Sequence, residues 1–191
     1  MKPFPELTSE AKFTSYNNAG HEVPHDYGKI YELSFEIKQI KIAASQNQID
    51  LILELSNTLT PPFYILYVLV VTRLGNKHGR YQSPLFETKD ELKNFLLEFK
   101  EYFETDGRHH IWICTVDNSG RLIYDQHNVI FAYGRLDNYI SILKRNGYQE
   151  QMFSFPAPHA HAYNSSNDKF EESIFQNWDW DYFPLSDGDE Y

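Results

Sequence analysis

The sequence predicts an α+β fold, with a single domain in which helices pack on a mostly antiparallel sheet. Three observations lead to this prediction. An apolar segment over 63–72 is typical of a buried strand, and short strands joined by a tight turn follow over 110–133. Amphipathic patterns predict packed helices over 46–58, 88–104 and 136–146.

A chain of 191 residues is expected to form one domain, which we divide into three parts. Residues 1–28 contain several prolines, glycines and asparagines and little periodicity, so we expect a loosely structured N-terminal arm. The core domain is predicted over 29–155. An acidic, aromatic C-terminal segment over 156–191 is predicted to dock on that core.

The core begins with an alternating pattern. Tyr31, Leu33, Phe35 and Ile37 alternate with polar residues, which predicts a strand with one buried face.

Capping patterns mark the starts of two helices. Ser45 and Gln48 form a candidate capping box before the helix over 46–58, and Thr88 begins a second one before the helix over 88–104. In the second helix, apolar residues recur at helical spacing and the opposite face is charged. Both helices are therefore expected to bury one face against the sheet.

The remaining elements follow from apolar runs and turn residues. The strand over 63–72 is rich in β-branched and aromatic residues, which predicts a central strand covered on both faces. Gly120 ends a predicted hairpin turn within 110–133, so this region is expected to form a hairpin or meander. The helix over 136–146 is expected to end before Gly147.

Net charge is concentrated at the C-terminal end of the chain. The last 24 residues carry eight acids and one base, or −7 of the formal −10, so the rest of the chain is nearly neutral. The sequence pI is about 5.2, and lysines and arginines form only one small cluster. Phosphate contacts depend on clustered basic side chains, so we expect no nucleic-acid partner.

Other features of the composition indicate the compartment. Cys114 is the single cysteine, so an internal disulfide is impossible, which fits a reducing compartment. The longest apolar stretch, over 61–71, is about half as long as a bilayer span. We see no signal peptide. We therefore expect a soluble cytoplasmic protein without a membrane partner.

Two histidines form a candidate metal site. His159 and His161 are two residues apart, so on an extended segment both imidazoles point the same way and can meet one ion such as zinc. Such a site needs further ligands, and Asp125 and His127 have the same spacing and can supply them if the two segments meet. The alternative is an extended, solvated linker with no cofactor.

Asp125 and His127 are also the candidate catalytic residues. They belong to a polar group, 125–128, that interrupts an apolar strand. In the functional interpretation, His127 acts as an acid or base and Asp125 orients it. In the alternative interpretation, the group is a bulge or turn whose side chains satisfy local backbone groups.

The acidic C-terminal segment contains alternating rings and acids. In an extended conformation its rings share one face and its acids the other. This face either completes the domain's own core or binds a basic protein, because aromatic residues dominate binding hot spots and acids steer encounter. The candidate binding residues are Trp178, Asp179, Trp180, Asp181 and Tyr182.

Two functions follow from these observations. The first is a non-enzymatic protein-binding module, such as an immunity-type protein of bacteria or a regulatory protein, which uses the acidic aromatic surface. The alternative is a metal-dependent, hydrolase-like enzyme that uses the histidine and aspartate cluster. Because no motif compels a reaction, the sequence favours the first.

Overall fold

The computed structural model describes residues 11–189 of the chain. Within that range, twelve strands form a sheet of three strands and a sheet of nine, together with five helices. Nearly all neighbouring strands run antiparallel, as in a single α+β domain. The predicted fold class is therefore confirmed.

The elements have the following bounds. The strands are β1 (Phe13–Tyr16), β2 (Glu22–Pro24), β3 (Ile30–Ser34), β4 (Gln39–Ala43), β5 (Phe63–Leu69), β6 (Gly79–Gln82), β7 (His109–Thr115), β8 (Arg121–Tyr124), β9 (Val129–Tyr133), β10 (Gln149–Glu150), β11 (His159–His161) and β12 (Asp181–Phe183). The helices are α1 (Gln48–Ser56), α2 (Lys89–Glu98), α3 (Lys100–Thr105), α4 (Leu136–Arg145) and α5 (Asp168–Asn177). A short 3₁₀ turn, Ser165–Asn167, leads into α5.

The large sheet has the order β10-β3-β4-β9-β8-β7-β5-β6-β12, and the small sheet has the order β11-β1-β2. The predicted meander over 110–133 is formed by β7, β8 and β9, which pair in sequence order. The strand predicted over 63–72 is β5, which lies inside the sheet between β6 and β7 and ends at Leu69.

The helices cover one face of the large sheet and form the hydrophobic core with it. Alternate β5 residues, Phe63, Ile65 and Tyr67, are fully buried on this face. Their neighbours Tyr64 and Leu66 are only partly buried on the other face. The prediction that this strand is covered on both faces is therefore wrong for its first half, since no helix packs on the second face within the described residues.

Only the first half of the predicted first strand is a strand, β3, which is the first strand of a hairpin. The hairpin pairs β3 with β4, and a turn over 35–38 separates them. Phe35 is 78% exposed and Ile37 is 57% exposed, so the prediction that both are buried is wrong. Lys38 takes a positive φ of 51°, which lets the chain reverse there. The alternation of apolar and polar residues continues through the turn, so local periodicity does not reveal where the strand ends.

Helix starts and ends differ from prediction in two places. The capping box predicted at Ser45 does not form, because Asn47 is the N-cap in a left-handed conformation and Gln48 donates to the Ala44 carbonyl. The capping box at Thr88 is present. The helix predicted over 88–104 is divided at Phe99 into α2 and α3.

The two ends of the described chain pack on the core. In the predicted N-terminal arm, residues 1–10 lie outside the described range, and β1 and β2 form two strands of the small sheet. Non-local pairing with β11 orders this segment, although its own sequence has little periodicity. At the other end, β12 extends the large sheet beyond β6. Among residues 11–189, no helix combines the length and apolar character needed to cross a membrane.

Candidate metal site

The first part of the site is the small sheet. Strand β11 pairs antiparallel with β1, so that His161 lies opposite Phe13 and His159 lies opposite Ser15. Directly opposite residues in an antiparallel pair share a face, and residues two apart along a strand do too. Both histidines and Phe13 therefore project from the same face of this sheet.

The second part is the turn between β8 and β9. One oxygen of the Asp125 carboxylate accepts hydrogen bonds of 2.9 Å from the backbone N–H groups of His127 and Val129. Asn128 has a positive φ of 62°, and its side chain accepts a hydrogen bond from Tyr124. The polar group 125–128 is therefore a turn that satisfies its own backbone, and it also fixes the position of His127.

The fold brings the two parts together. Ligand nitrogens of His127, His159 and His161 all lie within 4.8 Å of one another. The ring centroid of His127 is 5.3 Å from that of His159 and 4.8 Å from that of His161. The two histidine segments that the sequence singled out separately thus meet at one point.

The hydrogen bonds of the rings leave nitrogens free to ligate. The second oxygen of Asp125 accepts a hydrogen bond of 2.8 Å from His127 Nδ1. His159 Nδ1 lies 2.7 Å from the Pro156 carbonyl oxygen and donates to it. With Nδ1 engaged in both rings, Nε2 is the nitrogen that is left for a metal ion. His161 Nδ1 is buried and has no hydrogen-bond partner.

The electrostatics of the site favour a neutral His161 beside an ionised Asp125. Burial, together with the neighbouring His127 and His159 rings, lowers the pKa of His161 to about 4, so the ring is neutral at pH 7. Burial alone would raise the pKa of Asp125, but hydrogen bonds from His127 and Val129 outweigh it and hold that pKa below its usual value. Metal ligation requires unprotonated imidazole.

Aromatic rings hold the histidines in place. The Phe13 ring is in contact with all three, at centroid distances of 5.3 to 5.4 Å. Phe155 stacks on His127 at 4.3 Å with an interplanar angle of 20°. These rings restrict the imidazoles, although His159 itself is exposed.

The histidines open onto a cavity of about 550 Å³. His127 is buried, His161 is partly buried and His159 is exposed, so the cavity is reached from the His159 side. The other lining residues are mainly apolar, and they are Val70, Val71, Gln126, Phe155 and Tyr163.

The cluster fits a tetrahedral metal ion after a small adjustment. Zinc binds histidine nitrogen at about 2.0–2.1 Å, so two ligand nitrogens around one ion are roughly 3.4 Å apart. The nitrogens here lie within 4.8 Å of one another, so ligation requires them to approach by at most roughly 1.4 Å.

A buried ion-pair network anchors the histidine strand. The Arg108 guanidinium binds the Asp106 carboxylate through two hydrogen bonds of 2.8 and 2.9 Å and Glu171 through one of 2.6 Å. All three side chains are fully buried. Asp106 and Arg108 also bind the backbone of Asn164, three residues after His161. The network therefore holds the segment that follows β11.

Gly107 allows the same strand to approach closely. Its N–H donates to the Ala162 carbonyl at 2.9 Å. A Cβ atom at this position would lie 3.1 Å from the Cβ of His161 and 3.1 Å from the Lys12 carbonyl oxygen. Glycine thus sets the distance between β11 and the core.

The C-terminal binding candidates lie elsewhere. The Trp178 ring contacts Phe86 and Phe95 at 5.2 and 4.8 Å, and Trp180 donates from its indole N–H to the Ile174 carbonyl. Both tryptophans thus pack against the core of the chain.

The other three candidates, Asp179, Asp181 and Tyr182, are more exposed. Strand β12 contains Asp181 and Tyr182. Binding of a basic protein by this segment stays a prediction.

Several residues of the site were not evident from the sequence. Phe13 lies in a segment without periodicity, and Phe155 and Tyr163 carry no motif. Only the pairing of β1 with β11, which lie about 145 positions apart, brings Phe13 to the histidines. No protein-family model, curated protein or solved structure matches this chain.

Proposed function

We propose that the chain is a metal-dependent hydrolase whose residues His127, His159 and His161 bind one Zn²⁺ ion. The proposal rests on one observation: three histidine nitrogens converge within 4.8 Å at the mouth of a cavity. Of the two functions that the sequence left open, this one is supported by a specific arrangement of side chains.

The ligand set favours zinc with an open coordination position. Neutral imidazoles suit Zn²⁺, Cu²⁺, Ni²⁺ and Fe²⁺, and three histidines with water as the fourth ligand are one arrangement of catalytic zinc sites. Asp125 would support such an ion indirectly, since its hydrogen bond with His127 Nδ1 orients the ring and leaves Nε2 for the metal. Such partners raise ligand basicity and orient the ring.

A zinc ion held by these histidines would lower the pKa of a bound water to about 7 and so would supply a nucleophile at neutral pH. Residues of the chain would position the ligands and stabilise the charge that develops on the substrate. Phe13 and Phe155 hold the imidazoles and keep bulk water from the buried side of the cluster. Gln126, which lines the same cavity, offers an amide N–H to a carbonyl oxygen that becomes negative during the attack.

The cavity favours a neutral substrate. Among the described residues that line it there is no lysine, arginine, aspartate or glutamate. A phosphate ester would lack a cation to neutralise it apart from the metal, whereas an ester or amide with an apolar group would pack against Val70, Val71 and Phe155. We therefore propose hydrolysis of a carboxylic ester or amide. We also propose that the protein is cytoplasmic and that it has no nucleic-acid partner.

The test compares metal-free and zinc-loaded protein, purified without a histidine tag, in the hydrolysis of a neutral aryl acetate. We expect zinc-dependent turnover in the unmodified chain and none in His161→Ala. His78→Ala is the matched control, because His78 is exposed and lies outside the cluster.

A second readout examines the open coordination position. In the Co²⁺-substituted protein, the visible absorption spectrum should change with an apparent pKa near 7, as a bound water ionises. A spectrum that is independent of pH, together with equal hydrolysis rates with and without metal, would contradict the hydrolase function.

A further inference from the structure

A group of polar side chains lies on the face of the large sheet opposite the hydrophobic core, apart from the histidine cluster. Tyr64, Cys114, Arg121, Tyr133 and Gln39 are successive cross-strand partners on β5, β7, β8, β9 and β4. Side chains of direct cross-strand partners share a face of the sheet. They therefore form one polar row across five strands, on the face opposite the hydrophobic core.

Arg121 is the charged residue of this row, and the described part of the chain provides it with no counter-ion. Its guanidinium carbon lies 4.5 Å from the Tyr133 ring centroid and 5.5 Å from that of Trp112. Its Nε atom is buried and has no hydrogen-bond partner, and among residues 11–189 no carboxylate pairs with this side chain. By contrast, Arg108 and Arg80 are both paired with buried carboxylates.

An unpaired arginine of this kind is a specific donor. The guanidinium offers five N–H groups and no acceptor, in a planar fork that matches a carboxylate. Stacking on two rings fixes the plane of the fork, so little side-chain entropy is lost when a ligand binds. The aromatic rings satisfy the faces of the guanidinium but not its N–H groups.

A cavity of about 230 Å³ adjoins Arg121, and Tyr64, Cys114, Asn118 and Tyr133 also line it. The Tyr133 hydroxyl accepts a hydrogen bond from Gln39, so its own hydrogen is available to a ligand. Burial raises the pKa of both the Cys114 thiol and the Tyr64 hydroxyl, so neither adds negative charge at neutral pH. The cavity is thus small, mostly neutral and provided with one cation.

We propose that this cavity binds a small organic monocarboxylate, whose carboxylate takes the Arg121 fork. One cation without a second basic residue in the lining matches a single negative charge better than the two of inorganic phosphate. The volume lies below the range of roughly 300–1,000 Å³ that is usual for drug-sized ligands, which limits the ligand to a few carbon atoms or one ring.

This site is independent of the metal cluster. Arg121 precedes Asp125 by four positions along β8 and its turn, or roughly 13 Å at the rise of a strand. Its test therefore uses metal-free protein, and the result does not depend on whether zinc binds.

The experiment is a titration of the full, metal-free chain with benzoate, acetate and inorganic phosphate, followed by the NMR signal of the Arg121 Nε–H group and by calorimetry. We expect saturable binding of a carboxylate with a shift of that signal. Phosphate should bind more weakly. Arg121→Gln should weaken carboxylate binding about 10- to 100-fold, which is typical of a lost hydrogen-bonded ion pair.

Arg135→Gln is the matched control, because Arg135 is exposed and lies next to Gly134 at the edge of the same cavity. It should leave carboxylate binding unchanged. If Arg121→Gln does not fold, the same titration is carried out with Arg121→Lys. This variant keeps the charge but loses the planar fork, so it should also bind the carboxylate more weakly. No carboxylate binding at millimolar concentration, equal binding by the Arg121 variants, or tighter binding of phosphate would each overturn the proposal.

Discussion

Replacing Asp125 by asparagine tests how the turn between β8 and β9 prepares His127. One carboxylate oxygen accepts two backbone N–H groups, and the other accepts the proton of His127 Nδ1 at 2.8 Å. Asparagine keeps an oxygen for the backbone but places an NH₂ group against Nδ1. Nδ1 must then accept, so the ring proton moves to Nε2, the nitrogen assigned to the metal.

The expected effect is a loss of metal affinity with little loss of stability. Outer-shell partners of histidine ligands are typically worth 10- to 100-fold in affinity, or about 1.4–2.7 kcal/mol, and the wrong tautomer places Asp125→Asn at the upper end of that range. Because both backbone hydrogen bonds remain, the free energy of unfolding of the metal-free variant should fall by no more than about 1.5 kcal/mol.

The assay is a competition titration with a chromogenic zinc chelator at neutral pH, together with urea unfolding of the metal-free proteins. Asp26→Asn is the matched control, because Asp26 also accepts a backbone hydrogen bond, from Gly28, but lies outside the cluster. Equal zinc affinities for Asp125→Asn and the unmodified chain would refute the role assigned to this carboxylate.

Three further predictions concern stability. Arg108→Met should lower the free energy of unfolding by about 3–5 kcal/mol in urea, because it leaves the buried Glu171 without its cation; a loss below about 1 kcal/mol would count against the network. Burial lowers the pKa of His110 to about 4, so between pH 6.5 and pH 4 the unfolded state binds a proton that the folded state does not. The free energy of unfolding of the metal-free protein should therefore fall by about 3 kcal/mol over this pH range. His110→Leu should remove this part of the pH dependence of stability. Trp178→Ala should lower the free energy of unfolding by about 2–3 kcal/mol, because the ring is partly buried against the core. Phe183→Ala should lower it by less than about 1 kcal/mol, because Phe183 is exposed. Similar losses from both variants would contradict the docked position of the tryptophan.

Local patterns predicted the elements that local forces determine. The apolar run of β5 and the capping box at Thr88 were evident, because strand burial and helix capping depend on residues a few positions apart. Where a turn interrupts a pattern without a glycine or proline, prediction fails. Lys38 takes a positive φ with an ordinary side chain, so the turn between β3 and β4 looked like a continuation of β3.

The candidate site, like the fold, was predicted only where local spacing determines it. The spacing of His159 and His161, and of Asp125 and His127, indicated two half-sites, because residues two apart share a face of an extended chain. Their meeting depends on β1, which reaches β11 across most of the chain and has no periodic pattern of its own. Such pairing results from tertiary packing, and a single sequence does not specify it.

The measurement that tests the metal site most directly is a zinc titration of the untagged, metal-free chain, followed by X-ray absorption at the zinc edge. We predict one zinc ion per chain, with histidine nitrogens at about 2.0–2.1 Å, and loss of binding in both His127→Ala and His161→Ala. His78→Ala should bind as the unmodified chain does. No uptake of zinc at neutral pH, or uptake that survives both substitutions in the cluster, would contradict the assignment.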